Sequence, residues 1–212
     1  MSDVPRETEL SARYSHVAGM QRFAEILATR GVERGLIGPR EVPRLWSRHL
    51  VNCAVVAEEA TKEMPEGCTV ADVGSGAGLP GVVWSLVRPD LRITLIEPLL
   101  RRASFLTEVI TELSLDNQVE VLRARAEDVP PRTFDVVTAR AVARLPQLLT
   151  WTLPLTTVGG TVLALKGSSA AQEVQEAEAL RTSLGAGAIA IQAYGLGAIE
   201  PPTMVVVVPR VR

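Results

Sequence analysis

The residues with the clearest chemical potential lie between Thr69 and Gly81, where an acid and four glycines follow a short apolar segment. Residues 69–73 are apolar or β-branched apart from Asp72, which predicts a buried strand with one charge near its end. The glycines that follow are Gly74, Gly76, Gly78 and Gly81. Glycines permit positive φ and let a ligand lie against bare backbone, and a helix start offers free N–H groups. The stretch therefore predicts a nucleotide-cofactor loop between a strand and a helix.

Two cofactor patterns overlap in this loop. A Gly-x-Gly-x-Gly run begins at Gly74 and is typical of S-adenosyl-L-methionine (SAM) methyltransferases. A Gly-x-Gly-x-x-Gly run begins at Gly76 and matches the dinucleotide motif of NAD-dependent oxidoreductases. Glu97 ends the next predicted strand and suits both cofactors, because a carboxylate binds a ribose diol in either case.

Three details favour SAM. Asp72 stands two residues before the first glycine, where a dehydrogenase usually has an apolar residue. Pro80 within the turn is unusual for a pyrophosphate loop. An acidic pair, Glu127-Asp128, follows the third predicted strand, where methyltransferases hold the adenine.

Predicted strands and helices alternate around this loop. The predicted strands are 69–73, 92–97, 119–123, 134–138, 160–165, 189–194 and 204–208, and the predicted helices are 80–87, 100–113, 145–151 and 170–184. This alternation indicates an α/β fold with a largely parallel sheet and helices on both faces. Seven strands, the last inserted antiparallel, predict the Rossmann-like sheet of class I SAM-dependent methyltransferases.

The first part of the chain reads as helical. Apolar residues recur at three- and four-residue spacing over residues 11–30, which predicts an amphipathic helix ending near Gly31. Glycines and prolines over 31–43 predict a loop, and a second helix is expected over 43–62. We therefore expect an N-terminal helical extension over residues 1–64, packed on a methyltransferase domain over residues 65–212.

The composition sets further bounds. The chain has 212 residues, 47% of them hydrophobic, and a formal net charge of −2, so any nucleic-acid surface must be local. Twenty of its cationic side chains are Arg and two are Lys, so a lysine is the rarer choice. No signal peptide is visible and no apolar run approaches ~18 residues. These features predict a soluble, cytoplasmic protein without membrane contact.

Ligands of such sheets bind beyond the carboxyl ends of the strands. Three cations, Arg125, Arg140 and Lys166, follow the third, fourth and fifth predicted strands and so converge on the rim beside the cofactor loop. Taken singly, each of these cations is as readily explained as a solvated charge on a loop as by a role in ligand binding. Between Arg30 and Arg48 lie five Arg and two Glu, a basic stretch that is either an RNA contact or a solvated face.

These motifs together resemble the RsmG (GidB) family of bacterial methyltransferases, over roughly residues 15–210. The matching segments are residues 72–81, Arg125-Ala-Glu127, Arg140-Ala141, Leu165-Lys-Gly167 and Trp46-x-Arg48-His49. After Arg48-His49 the family often has x-x-Asp-Ser, where this chain has Asn52 and Cys53.

The resemblance implies transfer of the SAM methyl group to N7 of a guanine near the decoding site of 16S ribosomal RNA, with S-adenosylhomocysteine as the product. It implies a monomeric enzyme acting on 16S rRNA or the small ribosomal subunit, and mild streptomycin resistance when the gene is lost. RNA is expected to be positioned by Arg48, His49, Arg125 and Lys166. The expected cofactor-binding residues are Asp72, Gly74, Ser75, Gly76, Gly78, Leu79, Glu97, Ala126, Glu127 and Arg140.

The residues agree with this chemistry. Guanine N7 carries an exposed lone pair and no proton, so its attack on the methyl group needs no general base, and rate would come from alignment and desolvation. The sequence has no cluster of Cys and His residues that would indicate a metal site. Thr138-Ala-Arg140 stands where methyltransferases of exocyclic amino groups carry Asn-Pro-Pro-Tyr. The alternatives are a small-molecule methyltransferase, a NAD-binding oxidoreductase and a non-catalytic RNA-binding module.

Two cysteines, Cys53 and Cys68, leave a second question open. They are most simply two buried thiols in a reducing cytosol. A redox-sensitive bridge between them would require Cα atoms within ~7 Å.

Overall fold

The computed structural model describes residues 7–129 and 133–212. Its seven-stranded sheet has the order β3-β2-β1-β4-β5-β7-β6. The strands are β1 Thr69–Val73, β2 Arg92–Ile96, β3 Val119–Leu122, β4 Phe134–Arg140, β5 Thr156–Lys166, β6 Ala190–Tyr194 and β7 Thr203–Pro209. Strands β1 to β5 pair in parallel, and β7 runs antiparallel to both β5 and β6. The predicted sheet, with its inserted antiparallel seventh strand, is confirmed.

Seven α-helices surround the sheet in the described parts of the chain. They are α1 Glu7–Arg13, α2 Met20–Ile26, α3 Val51–Glu59, α4 Gly81–Val87, α5 Leu100–Glu112, α6 Leu145–Thr152 and α7 Ala170–Arg181. Neighbouring strand residues enter opposite apolar layers: Val136 packs with α3, α4 and α5, whereas Val137 packs with α6 and α7. This alternation follows from the two-residue period of a strand, and it explains why both faces of the sheet carry helices.

The predicted helix over residues 11–30 is wrong in one respect, because it is two helices separated at Tyr14–Gly19. Gly19 has φ +82°, and a Cβ there would lie 2.9 Å from a Leu86 methyl, so the chain turns where only glycine fits. Beyond α2 the chain forms a π-helical turn over Leu27–Gly31, and a 3₁₀ segment, Pro39–Arg44, interrupts the predicted loop.

The second predicted helix, over 43–62, is also shorter than expected. A π-helical turn, Trp46–Leu50, leads into α3, which ends at Glu59. The apolar side of this segment belongs to the same core as the sheet, since Leu50 and Val56 cluster with Val70 and Leu163. The boundary at residue 64 stays a prediction, and residues 1–6 of the predicted extension lie outside the described residues.

Candidate functional site

The glycine loop begins where β1 ends, at the carboxyl edge of the sheet. Gly74, Gly76 and Gly78 adopt φ of 71°, 57° and 92°, which L side chains rarely adopt. The Gly74 N–H donates to the Ile96 carbonyl at 2.8 Å, and the Gly78 N–H donates to the Ser75 carbonyl at 2.7 Å. These bonds hold the loop against the end of β2, where Glu97 follows.

The glycines serve different purposes. A Cβ on Gly74 would lie 2.6 Å from Val142, and one on Gly78 would lie 2.6 Å from Val82, so both positions are closed by packing. A Cβ on Gly81 would collide with Leu95. At Gly76 the nearest atom would be 3.7 Å away. Gly76 is therefore the point at which the loop leaves bare backbone open to a ligand.

Asp72 lies fully buried beneath this loop. Its Oδ2 accepts a hydrogen bond from the Gly81 N–H at 3.0 Å, while its Oδ1 has no partner among the described residues. Burial is the main cause that raises the pKa of Asp72 to about 7; the Glu97 charge acts in the same direction, and the hydrogen bonds from Gly81 and Ser75 act against it. A buried carboxyl with an unpaired oxygen is ready to receive a cationic or hydrogen-bonding group of a cofactor.

Glu97 is buried at the end of β2 and faces the loop. Its Oε2 accepts from the Gly76 N–H at 3.0 Å, and its Oε1 accepts from the Leu99 N–H at 3.0 Å. The carboxylate is thus fixed beside the open backbone of Gly76, as a ribose-binding acid must be. This geometry agrees with the role predicted for Glu97.

A cleft of about 170 Å³ continues from the loop. It is lined by Val73, Gly74, Ile96, Pro98, Ala124, Arg125, Ala126, Glu127, Val142 and Trp151. Its walls are mostly apolar, which suits a planar base such as adenine. The predicted Ala126 and Glu127 lie here, in a 3₁₀ turn, Ala126–Asp128. We call this cleft, with the glycine loop and Glu97, the cofactor side.

Leu79 is buried where the loop enters α4, and its peptide bond to Pro80 is cis. Ser75 is also buried, and its hydroxyl donates to the Asp72 carbonyl at 2.7 Å. The predicted cofactor residues from Gly74 to Leu79 therefore form one continuous loop above Asp72 of β1, and Glu97, Ala126 and Glu127 lie beside it after the next two strands.

Arg140 takes a different position from the rest of the predicted cofactor set. Its guanidinium donates to the Arg48 carbonyl at 2.9 Å and contacts the Cys53 sulfur at 3.2 Å. It also donates to His49 Nδ1 at 2.8 Å. Arg140 thus joins the end of β4 to the turn before α3, and in this arrangement its charge is directed at the N-terminal extension.

His49 is held from both sides. Because Arg140 can only donate, His49 Nδ1 must accept, which leaves the proton on Nε2, 3.0 Å from Glu41 Oε2. Burial and the Arg140 charge lower the pKa of His49, while Glu41 raises it. The neutral His49 imidazole thus links Arg140 to Glu41 by hydrogen bonds.

Lys166 was predicted as a rim cation that holds RNA phosphate, and its surroundings differ from that expectation. Its Nζ donates to the Ala143 carbonyl at 2.6 Å and lies 2.7 Å from Glu173 Oε2, with 10% of the lysine side chain exposed. Glu173 in turn accepts from the Leu145 N–H at 2.8 Å and the Ser169 hydroxyl at 2.7 Å. The charge of Lys166 is therefore compensated inside the protein, and the lysine holds the segment after β4 in place.

The basic stretch is also largely neutralised. Arg30 and Arg34 pair with Glu108 and Glu112 on α5, and Arg44 pairs with Glu41. By contrast, Arg48 and Arg125 are exposed, with no side-chain ion pair or hydrogen bond to any described residue. Of the four predicted RNA-positioning residues, these two keep a charge that a phosphate can reach.

A second, larger cavity of about 730 Å³ lies on the other side of Val142. It is lined by Asn52, residues 140–144, residues 165–169, Glu173 and residues 201–204. We call it the acceptor cavity. Sequence reasoning missed Val142 and Glu173, because an ordinary valine and a helical glutamate carry no motif.

The two cysteines are both free and buried, as the simpler of the two expectations predicts. Cys68 precedes β1, at the amino edge of the sheet, whereas Cys53 contacts Arg140 at the carboxyl edge. A five-residue strand at ~3.3 Å per residue separates these levels, which exceeds the ~7 Å that a disulfide permits.

The strand order, the glycine loop and the buried acid after β2 define a class I SAM-dependent methyltransferase. Solved structures agree on the fold. The methyltransferase SibL matches with a TM-score of 0.63 at 20% identity, over 97% of this chain and 70% of its own. A SAM-dependent methyltransferase of Aquifex aeolicus matches with a TM-score of 0.58 at 19% identity, over 82% of this chain and 100% of its own.

The sequence comparisons are more specific. The model of the GidB family, rRNA small subunit methyltransferase G, matches residues 16–198, and the chain belongs to this family. The protein named ribosomal RNA small subunit methyltransferase G is 53% identical in Salinispora tropica, over 90% of this chain and 80% of that protein. Its Streptomyces coelicolor namesake is 57% identical, over 87% and 76%. The resemblance stated from the motifs is confirmed.

Proposed function

We propose that this protein transfers the methyl group of SAM to N7 of one guanine in the 16S rRNA of the small ribosomal subunit. The observation that carries the proposal is the open backbone at Gly76, facing the buried Glu97 carboxylate 3.0 Å away, in a chain of this family. When bound, SAM supplies an electrophilic methyl group on a sulfonium and leaves as S-adenosylhomocysteine.

The residues of the cofactor side fit this ligand. The Glu97 carboxylate is placed for the ribose hydroxyls, and the unpaired Asp72 Oδ1 matches a cofactor that carries positive charge. The apolar cleft behind Gly74 suits the adenine ring.

The acceptor cavity favours a nucleophile that has no proton to lose. Its titratable lining residues are Arg140, Arg144, Lys166 and Glu173. The arginines and the paired lysine are not bases, and Glu173 already accepts bonds from Lys166, Ser169 and the Leu145 N–H. A guanine N7 attacks with its lone pair and needs no proton acceptor, unlike an exocyclic amino group.

The structure supports backbone contacts to RNA from Arg48 and Arg125, whose exposed charges have no partner among the described residues. Cations placed at phosphates position RNA without reading its sequence. In the part of the chain that the structure describes, no helix is long and apolar enough to cross a membrane. A cytoplasmic monomer remains a prediction.

Two measurements test the proposal. Calorimetric titration should show binding of S-adenosylhomocysteine and none of NADH, and labelled SAM should transfer its methyl group to small subunits that lack the modification. Binding without transfer to RNA would favour a small-molecule methyltransferase, and NADH binding would favour an oxidoreductase.

A further inference from the structure

Two buried side-chain oxygens lack a hydrogen-bond partner in the described parts of the chain: Asp72 Oδ1 and Asn52 Oδ1. Asp72 belongs to the cofactor side. Asn52 lies on α3 and is one of the residues that line the acceptor cavity, and no described residue satisfies its amide oxygen. A buried polar atom without a partner is costly, so such an atom beside a cavity is a candidate acceptor for a hydrogen-bond donor of a ligand.

The cavity can hold a nucleotide. Its volume of about 730 Å³ falls within the range of small-molecule sites. Enzymes that modify a base commonly act on single-stranded nucleic acid or take the base out of its stack into such a pocket. Val142 lines both this cavity and the cofactor cleft, so a base here would approach the cofactor side across a single residue.

We propose that Asn52 is a specificity-determining residue for guanine. Its side-chain oxygen accepts a hydrogen bond from the Watson–Crick edge of the target base, where guanine carries the N1–H and 2-amino donors. Adenine presents an acceptor at N1, which would face the Asn52 oxygen unfavourably. This inference rests on the proposed function and names the residue that selects the base.

The bond also assists the reaction. The N7 lone pair forms the new N–C bond, the electron pair of the broken S–C bond stays on sulfur, and no proton leaves. The positive charge passes from the sulfonium to the purine, which makes N1–H and the 2-amino group stronger donors. A hydrogen bond to Asn52 is then stronger in the transition state than in the bound substrate, so it raises kcat as well as binding.

Removal of this side chain should not harm the fold. The backbone carbonyl of Asn52 accepts from the Thr203 hydroxyl at 3.1 Å, and that bond survives any substitution of the side chain. Alanine favours a helix and removes the unsatisfied oxygen. We therefore expect Asn52→Ala to melt at or above the wild-type temperature, whereas a structural asparagine would lose stability on truncation.

The test uses small subunits reconstituted with guanine or adenine at the target position. Asn52→Ala should lower kcat/KM on guanine by about tenfold to a hundredfold and reduce the guanine preference by a similar factor. Asn52→Asp keeps an acceptor and loses the donor, so it should retain most guanine activity. Asn117→Ala, an exposed change at the opposite edge of the sheet, is the control and should match wild type.

Asn52→Ala within twofold of wild type on guanine would overturn the inference, as would Asn52→Asp being as inactive as Asn52→Ala. In both cases wild-type methylation of the guanine subunits would leave the proposed function standing. Failure of the wild-type protein itself on those subunits would instead contradict the proposed function.

Discussion

The cofactor side and the acceptor cavity lie on either side of Val142, yet they are built differently. On the cofactor side the ligand surface is backbone, with the N–H of Gly76 bonded to Glu97 and two glycines closed by packing. The acceptor cavity is walled by side chains and loops from five separate segments of the chain. A backbone surface requires glycines at fixed spacing, whereas a side-chain surface can be assembled from any part of the sequence.

The charges differ between the two sides as well. Among the described residues, the only ion pair of a cofactor-side carboxylate joins Glu97 to Arg102, at 4.0 Å. In the acceptor cavity Lys166 and Glu173 are paired at 2.7 Å and tied to the segment after β4. The cofactor side thus keeps negative charge available for a cationic cofactor. In the acceptor cavity the paired charges fix the segment after β4, which forms one wall of the cavity.

The largest effect on stability is expected when the buried ion pair between Lys166 and Glu173 is removed. Lys166→Ala leaves Glu173 buried without its cation, so the free energy of unfolding should fall by about 3 kcal/mol in denaturant titration. Arg125→Ala, the other predicted phosphate cation, is exposed and should change it by less than ~0.5 kcal/mol. Equal, small decreases in the free energy of unfolding for both variants would show that Lys166 behaves as a surface cation. The buried ion pair would then not distinguish the acceptor cavity from the cofactor side.

Next in size is the effect of the buried acid on the cofactor side. Glu97→Ala should weaken S-adenosylhomocysteine binding by ~1–3 kcal/mol, because charge-assisted hydrogen bonds are left unmade. Calorimetric titration measures the loss, and Glu66→Ala, an exposed acid in the turn before β1 and away from the cleft, is the control. Unchanged affinity in Glu97→Ala would remove this residue from the ribose site.

A smaller effect is expected in the pH dependence of the stability of the ligand-free protein, through Asp72. Burial raises the pKa of Asp72 to about 7, above its ordinary value of 3.8. A carboxyl with a raised folded-state pKa contributes stability that is present below the unfolded value and is lost as pH rises through about 7. Wild-type stability should therefore decline towards pH 8, relative to Asp72→Asn, in melts recorded from pH 5 to 8. Parallel profiles for the two proteins would contradict the assignment.

The smallest expected effect is electrostatic and concerns the predicted RNA surface. Arg125→Ala should leave S-adenosylhomocysteine affinity unchanged, and should reduce the slope of log affinity for RNA against log salt by about 1. Binding of the small subunit across a salt series measures the slope. A loss confined to cofactor binding would place Arg125 in the adenine cleft, which it borders, in place of the RNA surface.

The contrast also explains what could be predicted from the sequence. The loop at residues 74–79, with Glu97 after β2, was readable because glycine spacing and a strand-end acid are local signals. The largely parallel seven-stranded sheet followed from the alternation of elements, although Gly19 split a helix that periodicity alone joined. Lys166 was placed at the right strand end, but its partner Glu173 lies seven residues further on, in a helix. Nothing local indicates that this pair is buried.

Asn52 shows the same limit. In the sequence it was only a departure from a family motif, and its unsatisfied oxygen became visible once α3 was packed beside the segment after β4. Side-chain pairing across separate elements depends on tertiary packing, so residues of the acceptor cavity could not be ranked in advance.

The most direct test of the central claim is to map the methyl group. Small subunits from a strain without this enzyme are incubated with the protein and SAM, and their 16S rRNA is reduced and treated with aniline, which cleaves at N7-methylguanine. We predict one new cleavage, at a single guanine, that requires both the protein and SAM. Transfer of label to RNA without such cleavage, or to another component of the subunit, would contradict methylation of guanine N7.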